Sequence, residues 1–151
     1  MIFIPQKDNG LIPQVLTTIL DQCVNGVTLS DPDLDDMPLI YANKAFEVMT
    51  GYSSDEILGR NCRFLQGEDR NQEGRFKVCE ALENRQAVVV DLRNYRKTGE
   101  LFYNRLSITP LVDREDAVIY FLGVQYDVTK QVQAESEVER LKSKLEALAV
   151  K

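Results

Sequence analysis

The 151-residue chain contains no histidine, so it lacks the residue most often used as a metal ligand and as a general base near neutral pH. Its three cysteines, Cys23, Cys62 and Cys79, are widely spaced and form no CxxC pair, which argues against both a disulfide framework and a zinc site. No apolar run reaches membrane-spanning length, and no basic region followed by a long apolar stretch opens the chain. These absences predict no metal site and no membrane partner, and they favour a reducing, cytoplasmic setting.

Long blocks of lysine and arginine are also missing, and the formal net charge is -6. An acidic domain is repelled by nucleic acid and by anionic membranes, so neither is an expected partner. The hydrophobic content of 44% is enough to build a core. The length therefore predicts one ordinary domain with an additional helix at each end.

The order of local patterns indicates an α+β fold. Short apolar runs at 27–29 and 39–41 flank an acidic, turn-rich loop and predict a hairpin. Short helices should follow, one capped by Asn43 and one by Ser53 or Ser54, and then a longer helix over 71–84. Three β-rich runs, at 87–95, 101–112 and 117–127, are separated by turns, so we expect sequential antiparallel strands. Two strands, a group of helices and three more strands predict a sheet with helices covering one face.

Amphipathic helices are predicted at both ends of the chain, which divides it into a cap helix at 1–25, a core at 26–128 and a terminal helix at 129–151. The apolar positions of the first helix are Leu11, Val15, Leu16, Ile19 and Leu20. Those of the second are Ala134, Val138, Leu141, Leu145 and Leu148. The second set repeats at steps of four and three, as in the seam of a coiled coil, but is too short to be stable alone. We expect a homodimer through the terminal helices; the alternative is that this stripe packs across the chain's own sheet.

Three carboxamides, on Asn94, Asn104 and Gln125, occur at strand positions whose same-parity neighbours are otherwise apolar or small. A buried amide without a partner costs about 1–3 kcal/mol, so each side chain needs a hydrogen-bonding partner. A single amide could bond backbone at a strand end, whereas three on consecutive strands indicate a flat ligand with a polar edge. Gly123, next to this set, would let a ring approach the backbone.

The segment GRNCRFLQG, residues 59–67, has glycine at both ends, which allows a short helical turn to begin and end abruptly. Such a turn would bring the Cys62 thiol near the amides of Asn61 and Gln66, with the Arg63 guanidinium available to a phosphate. A lone cysteine on an apolar helix is more often a packing residue than a reactive one. Cys23 and Cys79 are accordingly expected to be inert buried thiols.

The same segment resembles the signature of the light–oxygen–voltage (LOV) photosensor family, a branch of the PAS fold. The likeness extends over residues 26–128 and includes GVTLSDPDLDDMPLIYAN, GYSSDEILGRNCRFLQG, LRNYRKTGELFYNRLSITP and FLGVQYD. It implies a five-stranded antiparallel sheet with short helices on one face. It also implies flavin mononucleotide (FMN) bound non-covalently between the helices and the sheet. FAD and riboflavin are less expected, because no insertion for a larger ligand is present between the short helices.

Carried onto this sequence, the resemblance makes Cys62 the photoactive thiol that adds to flavin C4a and Gln125 the side chain beside N5 that transmits the signal. Asn61 and Gln66 would hold the ribityl chain and ring, and Asn94 and Asn104 the pyrimidine edge. The remaining pocket positions are Thr28, Ser30, Leu65, Val78, Leu92, Leu106, Ile108, Phe121 and Gly123. Leu106 stands where many members have Phe.

The phosphate end departs from the family pattern. Arg63 matches the family's phosphate-binding arginine, but the second arginine, usual in the following helix, is replaced by Cys79. Arg70 and Arg75 lie nearby, so we expect Arg63, Arg70 and Arg75 to form the clamp.

The function expected from the resemblance is blue-light reception through a reversible cysteinyl–flavin adduct, without enzymatic activity. Because no kinase, cyclase or DNA-binding domain fits in the remaining residues, a complete protein of this length would signal through its own dimer or an unidentified downstream protein. One alternative is a PAS-type ligand-binding or dimerisation module without photochemistry. The other is a flavin redox enzyme, although the sequence offers no obvious acid–base pair for one.

Overall fold

Two strands, a group of short helices and three longer strands follow one another between two flanking helices. The computed structural model describes residues 14–150. The elements are α1 (Gln14–Asp21), β1 (Gly26–Ser30), β2 (Leu39–Ala42), α2 (Lys44–Thr50), α3 (Ser54–Ile57), the 3₁₀ helix Cys62–Gln66 (the Cys62 turn), α4 (Glu73–Glu83), β3 (Val88–Tyr95), β4 (Leu101–Val112), β5 (Val118–Asp127) and α5 (Thr129–Ala149). The α+β class and all the strands predicted from the sequence are confirmed. Leu11 and the side chain of Val15, predicted on the first helix, lie outside the description.

The five strands form one antiparallel sheet in the order β2-β1-β5-β4-β3. The predicted β1–β2 hairpin and the sequential pairing of β3, β4 and β5 are both present. The first strand also pairs with the last, which sets Gly26 opposite Gln125 and Thr28 opposite Gly123. This long-range pairing brings residues from the two ends of the core onto one face.

Asn43 connects the start of the sheet to the helices. Its Oδ1 accepts hydrogen bonds from the Val27 amide at 2.8 Å and, as the predicted cap of α2, from the Phe46 amide at 3.1 Å. Its Nδ2 donates to the carbonyls of Leu20 and Asn25 at 2.8 and 3.0 Å. All its polar atoms are thus used, which explains how a fully buried amide is tolerated between α1, β1 and α2.

Apolar side chains form three core clusters in the described residues, and two of these clusters border the ligand site. Val90, Leu92, Leu106, Ile108 and Phe121 form the sheet cluster, against which Val78 and Leu82 of α4 pack. Leu39, Phe46, Ile57 and Leu65 form the helix cluster, beside which Cys62 packs. The space between these two clusters is where a ligand can be held.

The terminal helix α5 continues directly from β5 and contains no buried residue. The apolar stripe predicted on this helix is exposed to solvent. The exposed fractions of Val138, Leu141, Leu145 and Leu148 are 49%, 47%, 66% and 67%. The alternative that this stripe packs across the chain's own sheet is therefore wrong. Within residues 14–150, every helix is too short or too polar to cross a membrane.

Candidate functional site

A cavity of about 250 Å³ lies between the sheet, the Cys62 turn and α4. This volume is near the lower end of the roughly 300–1,000 Å³ typical of small-molecule sites. The lining residues are Thr28, Ser30, Met37, Asn61, Cys62, Arg63, Gln66, Arg75, Val78, Cys79, Leu82, Leu92, Asn94, Asn104, Leu106, Ile108, Phe121, Gly123 and Gln125. The structure thus brings together all the site residues predicted from the sequence, apart from two.

Leu65 and Arg70 are the two that do not line the cavity. Leu65 is 1% exposed and packs with Leu39, Phe46 and Ile57, because an apolar side chain in the Cys62 turn is buried best in the helix cluster. Arg70 instead turns back on its own loop, where its Nε donates to the carbonyl of Gly67 at 2.7 Å. In the structure neither side chain is part of the cavity wall, and their contact with a ligand stays a prediction.

Met37, Cys79 and Leu82 line the cavity but were not among the predicted site residues. Leu82 could have been found, because it follows Val78 by one helical turn. Met37 has φ +45° in an irregular loop, and no local pattern places it there. Cys79 is exposed, as is Cys23, so the expectation that both thiols are buried is wrong. Position 79 lies at the edge of the side of α4 that packs on the sheet. Ala81 is the only buried residue of α4.

The three predicted carboxamides lie on one face of the sheet and are almost completely buried: Asn94 is 2% exposed, and Asn104 and Gln125 are 1% exposed. Asn104 Nδ2 donates to Asn94 Oδ1 at 2.9 Å, and Asn94 Nδ2 donates to the Arg93 carbonyl at 3.0 Å. Gln125 Nε2 donates to Thr28 Oγ1 at 3.1 Å. These bonds fix the orientation of each amide.

Three buried side-chain oxygens in the described part of the chain have no hydrogen-bonding partner: Gln66 Oε1, Asn104 Oδ1 and Gln125 Oε1. All three residues line the cavity. Each unpaired acceptor costs about 1–3 kcal/mol, which a ligand with N–H or O–H groups on its rim would recover. Several amides around a cavity lined largely by apolar side chains suit a planar heterocycle with donors and acceptors on its edge, as in a flavin.

Gly123 forms part of the wall beside Gln125. A Cβ at this position would lie 2.6 Å from Thr28 Oγ1, which real Cβ atoms do not approach so closely, and 3.0 Å from Gln125 Nε2, which is an unusually tight contact. Glycine therefore keeps the Thr28–Gln125 hydrogen bond in place and leaves the wall flat. This agrees with the prediction that a ring could approach the backbone here.

The Cys62 turn is held by the glycines predicted to bound it and by Asn61. Gly59 and Gly67 have φ of +87° and +56°, which favours glycine at both positions. Asn61 Oδ1 accepts from the Arg63 amide at 3.0 Å, and its Nδ2 donates to the Asp36 carbonyl at 2.7 Å. Asn61 therefore ties the turn to the acidic loop, a structural role in addition to its predicted ligand contact.

Burial raises the pKa of the Cys62 thiol to about 11. The group is therefore protonated at neutral pH and does not act as a ready thiolate. No imidazole is present to take the proton, because the chain has no histidine. Chemistry at Cys62 thus requires a partner that accepts both the sulfur and its proton.

Comparison with known proteins identifies the family. The family model described as "PAS domain" matches residues 24–130. A solved structure described as the LOV domain from the Erythrobacter litoralis EL346 blue-light activated histidine kinase is 42% identical, with a TM-score of 0.67, and the match covers 72% of this chain and 99% of that one. The chain is a LOV domain of the PAS superfamily.

Other relatives agree with this assignment. A blue-light photoreceptor of Listeria monocytogenes is 40% identical over 82% of this chain and 49% of its own length. A blue-light-activated histidine kinase of Brucella anthropi is 44% identical over 75% of this chain and 24% of its own. The structure of an RNA-binding light–oxygen–voltage receptor has a TM-score of 0.79 at 37% identity, over 91% of this chain and 40% of that one. The LOV chain thus spans about half the length, or less, of the curated relatives it matches. The family predicted from the sequence is confirmed.

One end of the cavity in this LOV domain carries the charged side chains. Arg63 and Arg75 are its cationic lining residues. The Arg63 guanidinium forms an ion pair with the Asp36 carboxylate, and Arg75 Nη1 donates to the Arg70 carbonyl at 3.4 Å. Within residues 14–150, no group of three or more Cys, Asp and Glu side chains is placed to hold a metal ion.

The junction between β5 and α5 lies two residues beyond Gln125. Asp127 accepts hydrogen bonds from the Thr129 amide at 3.0 Å and from Arg96 Nη2 at 2.9 Å. The Tyr103 amide donates to Thr129 Oγ1 at 3.0 Å. Burial favours a higher pKa for Asp127, but the bonds from Thr129 and Arg96 outweigh it and lower that pKa below its ordinary value. The first turn of α5 is thus fastened to β4 and to the β3–β4 hairpin of the LOV domain.

Proposed function

We propose that the protein is a blue-light photoreceptor that holds FMN non-covalently in the dark and responds to light through a reversible bond to Cys62. The observation that carries this proposal is the cavity itself, which is lined by the Cys62 thiol, by three residues with unpaired amide oxygens and by apolar side chains of the sheet. Membership of the LOV family supports the same conclusion. The proposed domain limits are 1–25, 26–128 and 129–151, and the proposed setting is cytoplasmic.

Residues on three sides of the cavity would hold the ligand. Asn94 and Asn104 would bond the pyrimidine edge, Gln66 the ring and ribityl region, and Arg63 and Arg75 the phosphate. The apolar surfaces of Leu92, Leu106, Ile108 and Phe121 would pack against the ring. An arginine-lined end favours FMN over riboflavin, because guanidinium groups bind phosphate through charge-assisted hydrogen bonds.

A bound flavin supplies absorption of blue light and a ring carbon, C4a, that accepts a thiol. Cys62 contributes both atoms needed to complete that reaction. The Cys62 thiol would supply the sulfur for that ring carbon together with the proton that the ring takes up, and it would regain this proton when the sulfur is released in darkness. Because the Cys62 pKa is raised to about 11, the proton is present on the thiol at neutral pH and no separate base is needed.

Gln125 is placed to pass this proton change to the rest of the molecule. Its Nε2 donates to Thr28 and its Oε1 is unpaired, so rotation of the amide would exchange a donor for an acceptor at the same place. Gln125 lies on β5, two residues before Asp127, which is bonded to the first residue of α5. A changed hydrogen bond on β5 can therefore alter how α5 is held.

We propose α5 as the contact for a second copy of the chain. In a parallel pair, the 4-3 spacing of its exposed apolar stripe would form the seam. In that arrangement Lys130 of one chain lies opposite Glu135 of the other, and Glu137 opposite Lys142, so both flanking pairs are attractive. The output would be a change in this dimer or in an unidentified downstream protein, and we propose no nucleic-acid, membrane or enzymatic role.

The decisive experiment is the absorption spectrum of the purified protein before and after blue light. The wild-type protein should be yellow, bleach in blue light and recover in darkness. The Cys62→Ala variant should keep its flavin and fluorescence but lose the bleach. Cys79→Ala is the matched control and should still bleach. A bleach that persists in Cys62→Ala would contradict the assignment, and a colourless wild-type protein would favour a PAS module without photochemistry.

The same preparations test the transmitter role. Gln125→Leu should still bleach, because Cys62 is intact, but light should no longer change the hydrodynamic size of the protein. Light-driven changes equal to those of the wild type would exclude Gln125 as the transmitter. Steady oxidation of NAD(P)H in darkness by the wild type would indicate a flavin redox enzyme instead.

A further inference from the structure

The Asp36 carboxylate lies at the charged end of the cavity, beside the arginine proposed to bind phosphate. It forms an ion pair with Arg63, and the next residue, Met37, lines the cavity. The Arg63 and Asp36 side chains are 42% and 59% exposed, so the ion pair is accessible to solvent. An anionic group entering this end therefore meets one negative charge as well as the arginines.

The position of this carboxylate is fixed by the backbone. Asp36 and Met37 have φ of +61° and +45°, which turns the chain sharply towards the Cys62 turn. Asn61 Nδ2 then holds the loop by donating to the carbonyls of Asp36 and Met37 at 2.7 and 3.4 Å. Aspartate and asparagine tolerate this left-handed conformation better than most residues, so the local fold accepts either.

The cationic charge available at this end is small. Arg63 and Arg75 are the cations that line the cavity, and Cys79 contributes an uncharged thiol on α4. One of the two guanidinium groups is paired with Asp36. A single carboxylate therefore offsets about half of the positive charge that a phosphate would meet.

We propose that Asp36 sets the selectivity of the cavity between phosphorylated and unphosphorylated flavins, by competing with the ligand's phosphate for Arg63 and by repelling it. This inference rests on the proposed function. Asp36 weakens the preference for FMN while leaving the affinity for the ring unchanged, because the amides proposed for the pyrimidine edge, Asn94 and Asn104, lie on β3 and β4 and not in the loop that carries Asp36. The cavity accordingly discriminates less strongly against riboflavin than its two arginines alone would.

The test measures selectivity directly. The full-length protein is equilibrated with an equimolar mixture of FMN and riboflavin, and the amount of each bound is measured by chromatography after gel filtration. Removal of one negative charge beside the proposed phosphate site should raise the ratio of bound FMN to riboflavin about three- to tenfold in Asp36→Asn. The increase should shrink at high salt, because the pair is exposed. Asp35→Asn, in the same exposed loop, is the control and should change the ratio little.

The inference would be overturned by an unchanged ratio in Asp36→Asn or by an equal change in Asp35→Asn. A fall in the binding of both flavins in Asp36→Asn would also overturn it, because it would show that Asp36 only supports the fold of the loop. Failure of the wild-type protein to bind either flavin is a different outcome, which would defeat the proposed function itself.

Discussion

Substitution of Gly123 by alanine tests the geometry of the site without depending on light. The new methyl group would lie 2.6 Å from Thr28 Oγ1, 3.0 Å from Gln125 Nε2 and 3.6 Å from Leu106 Cδ1. The first two atoms are the partners of a 3.1 Å hydrogen bond, so they must separate to admit the methyl group. Overpacking costs about 1–3 kcal/mol and loss of the bond about 0.5–1.5 kcal/mol. Alanine recovers roughly 0.5–1 kcal/mol of backbone entropy, so we expect a net loss of about 1–3 kcal/mol.

A double-mutant cycle with Thr28→Ala separates the close contact from any general effect of the substitution. In the Thr28→Ala background the oxygen 2.6 Å from the new methyl group is gone, and Gln125 is free to move. Gly123→Ala should then cost well under 1 kcal/mol, giving a coupling energy of about 1–2 kcal/mol, within the range for residues in contact. Urea unfolding followed by circular dichroism measures the free energy of unfolding of the wild type, the two single variants and the double variant. At a slope of about 2 kcal/mol per molar urea, the single variant should lower the midpoint of unfolding by about 0.5–1.5 M.

Additive costs in this cycle would refute the reasoning, because they would mean that Thr28, Gly123 and Gln125 do not meet as the register places them. Flavin content is the second readout. Gly123→Ala should bind less flavin than the wild type, since the methyl group stands in the wall of the cavity. Unchanged stability together with unchanged flavin content would place the ligand site elsewhere.

Two further predictions concern Cys62 and the terminal helix. The folded protein raises the Cys62 pKa from 9.0 to about 11 and so holds this proton more tightly than the unfolded chain. The contribution of the Cys62 thiol to the free energy of unfolding should be constant at neutral pH and be lost as the pH rises from about 9 to 11. In urea unfolding, Cys62→Ala should therefore lose less stability than the wild type over that pH range. Equal losses in the two proteins would contradict the raised pKa. On α5, Leu145→Asp should convert a dimer to a monomer in light-scattering measurements, whereas Ser143→Asp on the outer face should not. A monomeric wild-type protein, or equal dissociation of both variants, would exclude the seam.

Much of the site could be predicted because its signals are local. The parity of Asn94 and Asn104 along their strands placed both on the apolar face, and the structure agrees, because side chains alternate strictly across a strand. The glycines at 59 and 67 indicated the limits of the Cys62 turn, since left-handed backbone strongly favours glycine. The family resemblance then supplied the ligand class, which periodicity alone left open.

The position of other side chains could not be predicted from local patterns, because it depends on packing against distant segments or on the course of a loop. Leu65 shares the short turn with Cys62, and only the presence of Phe46 and Ile57 behind it shows that it faces the helix cluster. Cys79 follows the apolar residue Val78, but it lies at the edge of the side of α4 that packs on the sheet, and it is exposed. Arg70 was expected at the phosphate, whereas its loop directs it to a backbone carbonyl close by.

The sequence by itself determined the order of helices and strands, the face on which the carboxamides lie and the limits of the Cys62 turn. Each of these depends on residues within a few positions of one another. Only the tertiary structure decided that β1 pairs with β5, so that Thr28 bonds to Gln125 across nearly the whole core. It also decided that the acidic loop brings Asp36 to Arg63. Contacts of this kind depend on chain closure over long separations and on competition among buried surfaces, which no short stretch of sequence encodes.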